Sequence, residues 1–255
     1  MKYNPNFLNN VSFLSLFDKE FLNDLKISFN AVKKNKKLLE QQEFEFVYVS
    51  AKTEGNTYTR GEAITLLERG LTAGGKSFYD AKMLENLKNT FEEFVINPKP
   101  VTKELIKDIH YCLNDGLLEK NKLGIFRNEP VSIKGTEYLP PVKKEYINGE
   151  IDFLLKQYNK IDNPFEKAIY IHCNFAYIQP FYDGNKRTAR ILQAITLANE
   201  DIIPLISKEK FIADYLDAIL KYYESGDYHN YIVFFKNAYK EQYDYLINFL
   251  NFTKE

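Results

Sequence analysis

Residues 179–190 are the most informative stretch of the chain and read Gln-Pro-Phe-Tyr-Asp-Gly-Asn-Lys-Arg-Thr-Ala-Arg. A helix is predicted to begin near Asn185, and a helix start already carries partial positive charge from its unpaired backbone N–H groups. Three cations, Lys186, Arg187 and Arg190, nevertheless fall within the first two turns. Because Arg187 and Arg190 are spaced i, i+3, they share one face. The pattern favours a bound anion, and a polyphosphate fits it best.

Two neighbouring residues extend this interpretation. Gly184 has no side chain, so a ligand can approach the backbone closely there. Asp183 stands just ahead of the helix, where its carboxylate is suited to hold a magnesium ion that bridges phosphates. On these residues alone, a basic helix start that is merely solvated remains an open alternative.

Bulk composition limits the classes of protein. The chain has 255 residues and a formal net charge of -1, so no global field draws it to nucleic acid or to an anionic membrane. Basic residues do not concentrate on one recognition helix, which argues against DNA binding. Cys112 and Cys173 lie in apolar helical patterns and are expected to be free, buried thiols. We find neither a signal peptide nor an apolar run of about 20 residues, and we expect a cytoplasmic protein.

Apolar residues recur at helical spacing along most of the chain, and glycine and proline are few, at 11 and 9 residues. The pattern predicts an all-α fold with one small β-hairpin. The predicted helices cover about 18–40, 44–54, 59–70, 78–96, 103–117, 142–158, 164–179, a stretch from 185, and two helices within 207–252. Residues 1–45 are predicted to pack as an N-terminal helical appendage.

The predicted hairpin is VSIKGTEYLPP (131–141). Val131, Ile133 and Tyr138 flank a Lys-Gly turn, which is typical of two short strands. Pro140 and Pro141 end the pattern.

The central stretch resembles the signature of the Fic family, which is His-Pro-Phe, any residue, an acid, Gly-Asn-Gly/Lys-Arg, and a second arginine three residues on. The segment 172–178, His-Cys-Asn-Phe-Ala-Tyr-Ile, also resembles the helix that precedes this signature. The resemblance implies a Fic-type helical bundle that transfers AMP from ATP to a Ser, Thr or Tyr hydroxyl of a protein, with Mg²⁺. The matching positions are Pro180, Phe181, Asp183, Gly184, Asn185, Arg187 and Arg190.

The resemblance assigns a role to each of these polar positions. Asp183 would bind Mg²⁺, and the backbone at Gly184 and Asn185 would hold the α-phosphate, where charge develops during transfer. Arg187 would hold the β-phosphate and Arg190 the γ-phosphate.

Lys186 takes the place of the second glycine in the commoner Gly-Asn-Gly form of the signature. The same lysine occurs in Doc-type members, which phosphorylate their targets. Phosphate transfer therefore stays open as an alternative to AMP transfer.

A second match lies at Ser50-Ala51-Lys52-Thr53-Glu54-Gly55-Asn56, which resembles the inhibitory motif of the family. Ser50 and Glu54 are spaced i, i+4 and face the same way on a helix predicted near 43–54. In the family this glutamate pairs with the second arginine of the signature, here Arg190. The resemblance thus implies autoinhibition, because Glu54 would exclude the γ-phosphate.

The hairpin 131–141 corresponds to the flap of the family. There, the backbone of a protein substrate adds to the strand edge and aligns a hydroxyl with the site. With these parts, the Fic domain is expected to span residues 46–255, including the C-terminal helices. Homo-oligomerisation stays open.

One position departs from the family. Where the signature has histidine, the general base, this chain has Gln179. A neutral amide offers hydrogen bonds but cannot accept a proton near pH 7. His172 is expected to be a packed helix residue, and His110 and His229 are expected to lie far from the site. Three interpretations remain: an engineered change that traps an inactive enzyme, a natural nucleotide-binding pseudoenzyme, and residual or different transfer without a base.

Overall fold

The computed structural model describes residues 1–252, with side chains to Phe249. It is mostly helical, as predicted, with eleven α-helices among the described residues. They are α1 (Leu16–Asp24), α2 (Phe29–Lys33), α3 (Lys36–Thr53), α4 (Arg60–Arg69), α5 (Phe78–Thr90), α6 (Lys103–Asn114), α7 (Lys144–Tyr158), α8 (Pro164–Ile178), α9 (Asn185–Asn199), α10 (Ile212–Ser225) and α11 (His229–Phe252).

Helix α8 is the centre of the bundle. Every residue from Ala168 to Ile178 is buried, so this helix is enclosed on all sides instead of carrying a single apolar stripe. Helix α9 packs along α8 and is buried over most of its length. The loop 179–184 joins these two helices, and the informative stretch of the sequence therefore lies at the core of the fold.

The single helix predicted over about 18–40 is wrong, because that region holds three helices with two breaks. Ser28 and Asn35 each cap a new helix, their side-chain oxygens accepting from the N–H groups of Ala31 and Leu38. Between α1 and α2 the backbone is extended, and the carbonyl of Ile27 accepts from the N–H of Ile203 at 2.9 Å. The apolar residues recur at helical spacing here, but the hydrogen bond between Ile203 and Ile27 and the caps at Ser28 and Asn35 divide the region into separate helices.

The predicted hairpin at 131–141 is also wrong. Within residues 1–252 no sheet forms, and Leu139 instead pairs in parallel with Lys2 as an isolated bridge. The N–H of Leu139 donates to the carbonyl of Met1 at 2.7 Å, and its carbonyl accepts from Tyr3 at 3.1 Å. Tyr138 is buried, and its hydroxyl donates to the carbonyl of Tyr177 at 2.8 Å. The second arm is therefore held by the N-terminus and α8, not by the first arm.

Residues 1–15 pack on α8. A carboxylate oxygen of Glu166 accepts from the N–H groups of Phe13 and Leu14, at 2.6 and 2.7 Å. Tyr170 donates to the carbonyl of Leu8 at 2.8 Å. The predicted division after residue 45 falls inside α3, and it stays a prediction. None of the helices within the described chain is both long and apolar enough to span a bilayer.

Candidate functional site

The loop between α8 and α9 leaves the start of α9 open to a ligand. Gly184 is the N-cap in the left-handed region (φ 71°), and no side chain caps the first turn. The side chain of Asn185 is engaged within the loop: it accepts from the N–H of Phe181 at 2.8 Å and donates to the carbonyl of Phe181 at 2.9 Å. The backbone N–H groups of the first turn remain available to an anion.

Arg187, in the first turn of α9, is almost fully buried, at 2% side-chain exposure. Its Nη2 lies 3.1 Å from Oδ2 of Asp183, and its Nη1 donates to the carbonyl of Leu113 at 3.4 Å. Its Nε has no hydrogen-bond partner among the described residues. Nη2 is the guanidinium nitrogen that lies next to the half-exposed carboxylate of Asp183, and guanidinium groups suit phosphate oxygens.

Asp183 is half exposed and is contacted by Tyr79, whose hydroxyl lies 3.3 Å from the same Oδ2. Sequence reasoning missed Tyr79, because it comes from α5, more than a hundred residues away from the loop. Within the described chain, no three or more His, Cys, Asp or Glu side chains cluster as for a metal held by protein alone. One carboxylate fits a Mg²⁺ ion that takes its other ligands from phosphates and water.

Glu54 lies at the C-cap of α3 and faces two cations of α9. Its Oε1 is 2.7 Å from Nη2 of Arg190, and its Oε2 is 3.5 Å from Nζ of Lys186. Burial acts to raise the pKa of Glu54. The positive charges of Arg190 and Lys186 outweigh this effect and lower the pKa to about 2. The carboxylate is therefore ionised at neutral pH. The carbonyl of Ser50 also accepts from Nη2 of Arg190, at 3.2 Å.

Gln179 ends α8 in the left-handed region, with φ 50°. Its Nε2 donates to the carbonyl of Ala176 at 2.7 Å and lies 3.5 Å from the hydroxyl of Tyr223. The side chain is buried and is turned toward the last turn of α8 and toward Tyr223 of α10, and its amide is neutral near pH 7.

Two buried residues outside the central stretch hold the loop in shape. Arg127 donates to the carbonyls of Gln179 at 2.7 Å and Pro141 at 2.5 Å, so it ties the loop to the end of the segment 131–141. Asn114 on α6 lies against Gly184: a Cβ at that glycine would come within 2.5 Å of the Asn114 amide. The sequence carries a hint of Arg127 in Gly-Ile-Phe-Arg (124–127), but no local signal of Asn114.

The expectation that His110 lies far from the site is wrong. This residue lies directly against the loop 179–184. Its ring stacks on Phe181 at 3.7 Å, its Nδ1 accepts from the N–H of Gly124 at 3.0 Å, and its Nε2 lies 3.1 Å from the carbonyl of Asp183. Burial lowers the pKa of His110 to about 4. With both ring nitrogens engaged, this histidine positions the loop and does not replace the base. His172 is packed, as expected, and burial lowers its pKa to about 3.

The helical bundle and this site define a class: an all-α protein whose central loop and following helix present buried cations and open N–H groups to an anion, opposite an acidic residue from an N-terminal helix.

Comparison with known proteins finds a family match for the central part of the chain. Residues 100–197 match the Fic/DOC family. The chain is 28% identical over 206 residues to protein adenylyltransferase Fic of Nematostella vectensis, a match that covers 78% of this chain and 47% of that protein. The chain is thus similar to the Fic/DOC family over residues 100–197, and it spans about half the length of this curated relative.

Solved structures show the fold. A Fic family protein from Desulfovibrio desulfuricans superposes with a TM-score of 0.77 at 18% identity, covering 96% of this chain and 77% of that one. Fic-1 of C. elegans (residues 134–508) superposes with a TM-score of 0.71 at 21% identity, covering 95% and 71%. The bundle described above is the Fic fold.

Proposed function

We propose that this protein is a Fic-fold protein adenylyltransferase, restrained by Glu54 and weakened by Gln179. It would transfer AMP from ATP to a hydroxyl of a protein. The observation that carries the proposal is the buried Arg187 beside an uncapped helix start and Asp183.

The residues of the loop 179–184 and the first turns of α9 fit a nucleoside triphosphate with magnesium. Open N–H groups at the start of α9 suit the α-phosphate, and Nη2 of Arg187, which lies beside the half-exposed Asp183, suits the β-phosphate. Asp183 would exchange its contact with Arg187 for the metal. Magnesium would supply charge neutralisation on the phosphates. These residues bind and orient the nucleotide, and the fixed donors stabilise charge on the α-phosphate during transfer.

Glu54 supports the restrained state. Its carboxylate occupies Arg190 at 2.7 Å, so a γ-phosphate could reach that guanidinium only by displacing it. The γ-phosphate and the Glu54 carboxylate would compete for the same buried cation. Lys186 lies 3.5 Å from the second carboxylate oxygen of Glu54 and stabilises Glu54 in this position. ATP would then bind with its γ-phosphate turned away, in a pose unsuited to in-line attack.

The protein substrate is proposed to dock against the segment 131–141. Arg127 connects this segment to the carbonyl of Gln179, so a chain lying along the segment comes close to the phosphate loop. Leu139 is exposed on the segment, at 56%, and offers an apolar contact.

The test is the mass of the product. The double variant Glu54→Gly with Gln179→His, incubated with ATP, Mg²⁺ and lysate, should add AMP to itself or to another protein. A phosphate adduct would instead favour the Doc-like reaction, for which Lys186 is the specific observation. No adduct, with ATP still bound, would favour a nucleotide-binding pseudoenzyme.

A further inference from the structure

Arg190 is held from a second side that does not involve α3. Its Nη1 donates to the hydroxyl of Tyr215 on α10 at 3.3 Å, and its Cζ lies 5.6 Å from the centroid of the Tyr215 ring. Tyr215 is buried, at 5% exposure. The same side chain therefore offers Arg190 both a hydrogen-bond acceptor and an aromatic face.

Tyr215 is in turn contacted by His172 on α8. Arginine has donors only, so the Tyr215 oxygen accepts from Arg190, and the phenol proton is left for another acceptor. Nε2 of His172 lies 3.2 Å from that oxygen, and the two rings meet edge to face at 79°. His172 is fully buried and has no route to a solvent partner. The chain His172, Tyr215, Arg190 thus runs from the central helix to the site.

We propose that Tyr215, oriented by His172, is the positioning residue that keeps Arg190 directed at the γ-phosphate after Glu54 has left it. This inference rests on the proposed function, in which Arg190 holds that phosphate. Tyr215 lies outside residues 100–197, which match the family.

The geometry explains why such a support is needed. When Glu54 leaves, Arg190 loses its charged partner on α3, and a long side chain regains rotamer freedom. A guanidinium that must be ordered again by the nucleotide binds it less tightly. The contact with Tyr215 involves Nη1, whereas Glu54 and Ser50 use Nη2, so it persists when Glu54 is displaced.

The test compares ATP with ADP, because only ATP has a γ-phosphate. In the Glu54→Gly background, Tyr215→Phe keeps the ring and removes the hydroxyl. Calorimetry with Mg²⁺ should show ATP binding weakened about tenfold, the size of a weak hydrogen bond to a charged group, and ADP binding unchanged. His172→Leu should change the ratio in the same direction, by a smaller factor.

The matched control is Tyr231→Phe, which removes another buried hydroxyl of the same region. That hydroxyl bonds Nε2 of Gln193 at 3.0 Å and does not touch Arg190, so the ATP-to-ADP ratio should stay constant. Equal loss of ATP and ADP binding in Tyr215→Phe, or no loss, would overturn the inference.

Arg190→Ala in the same background separates this inference from the function it rests on. It should abolish the preference for ATP over ADP. If the preference survives in Arg190→Ala, the γ-phosphate role of Arg190 fails, and the positioning role of Tyr215 fails with it.

Discussion

Oε1 of Glu54 lies 2.7 Å from Nη2 of Arg190, so the last turn of α3 closes on a cation of α9 across 136 residues of chain. Replacing Glu54 by glycine removes the carboxylate and should free Arg190 for a γ-phosphate. We expect tighter ATP binding with little change for ADP. Crystals of this variant with ATP and Mg²⁺ should place the γ-phosphate within hydrogen-bond distance of Arg190.

A control for that variant lies on the same helix. Glu40 is exposed and pairs only weakly with Lys36 at 3.7 Å, so Glu40→Gly changes the charge of α3 without touching the site. Its nucleotide affinities should match those of the parent. If Glu54→Gly and Glu40→Gly behave alike, Glu54 does not restrain the nucleotide.

The same pair predicts how stability depends on pH. The pKa of Glu54 is lowered to about 2 in the folded protein, so its contribution is present above the unfolded pKa and is lost as pH falls through the folded value. At pH 7 the parent should be more stable than Glu54→Gln by about 3 kcal/mol, the usual loss on breaking a buried pair. The difference should hold down to about pH 4.5 and close toward pH 2.

Denaturant unfolding of both proteins between pH 7 and pH 2.5 measures this difference. Subtracting the two free energies of unfolding at each pH cancels the effect of acid that the parent and the Glu54→Gln variant share. A gap that is absent at pH 7, or that widens on acidification, would contradict an ionised Glu54 held by Arg190.

Arg187 provides a direct test of the phosphate site. Arg187→Ala removes a buried guanidinium and should weaken ATP and ADP alike, by about tenfold or more, since hydrogen bonds to charged groups contribute about 1.5–3 kcal/mol. Calorimetry with Mg²⁺ measures both affinities. Arg60→Ala is the control, because Arg60 forms an exposed pair with Glu45 away from the site. Equal affinity in the Arg187→Ala variant and the parent would contradict the phosphate role.

The features that were predicted correctly from the sequence are those that neighbouring residues in the chain determine. The start of α9 near Asn185 and the helix predicted over about 59–70 depend on residues within a few positions, and each is present in the structure. The signature and Glu54 were found by the same local patterns, although only the fold brings Glu54 to Arg190.

What the sequence could not predict depends on distant partners. The spacing of Val131 and Tyr138 resembles a hairpin, yet Met1 and Tyr3 take the hydrogen bonds of Leu139. His110 stands 73 residues before Asp183 and has no local feature that marks it as a loop support. Such contacts follow from helix packing, which a single sequence does not encode in any short pattern.

The last prediction concerns Gln179. This residue adopts φ 50°, a conformation in which histidine is several-fold more common than most other residues. Gln179→His should therefore fit with little strain. One imidazole nitrogen would take over the bond to the carbonyl of Ala176, leaving the other to accept a proton from a hydroxyl at the phosphate loop. Since Asn185 and His110 already hold the loop, Asp183, Arg187 and Arg190 should stay in place.

The measurement is labelling with AMP from radiolabelled ATP in the Glu54→Gly background. The variant with Gln179→His should label at least about a hundredfold faster than Glu54→Gly alone, because a positioned general base contributes about 10² to 10⁴. Gln179→Asn is the matched control, since it changes the side chain but supplies no base, and its rate should stay at the background level. Equal rates with histidine and with glutamine would show that residue 179 does not stand where the base must act.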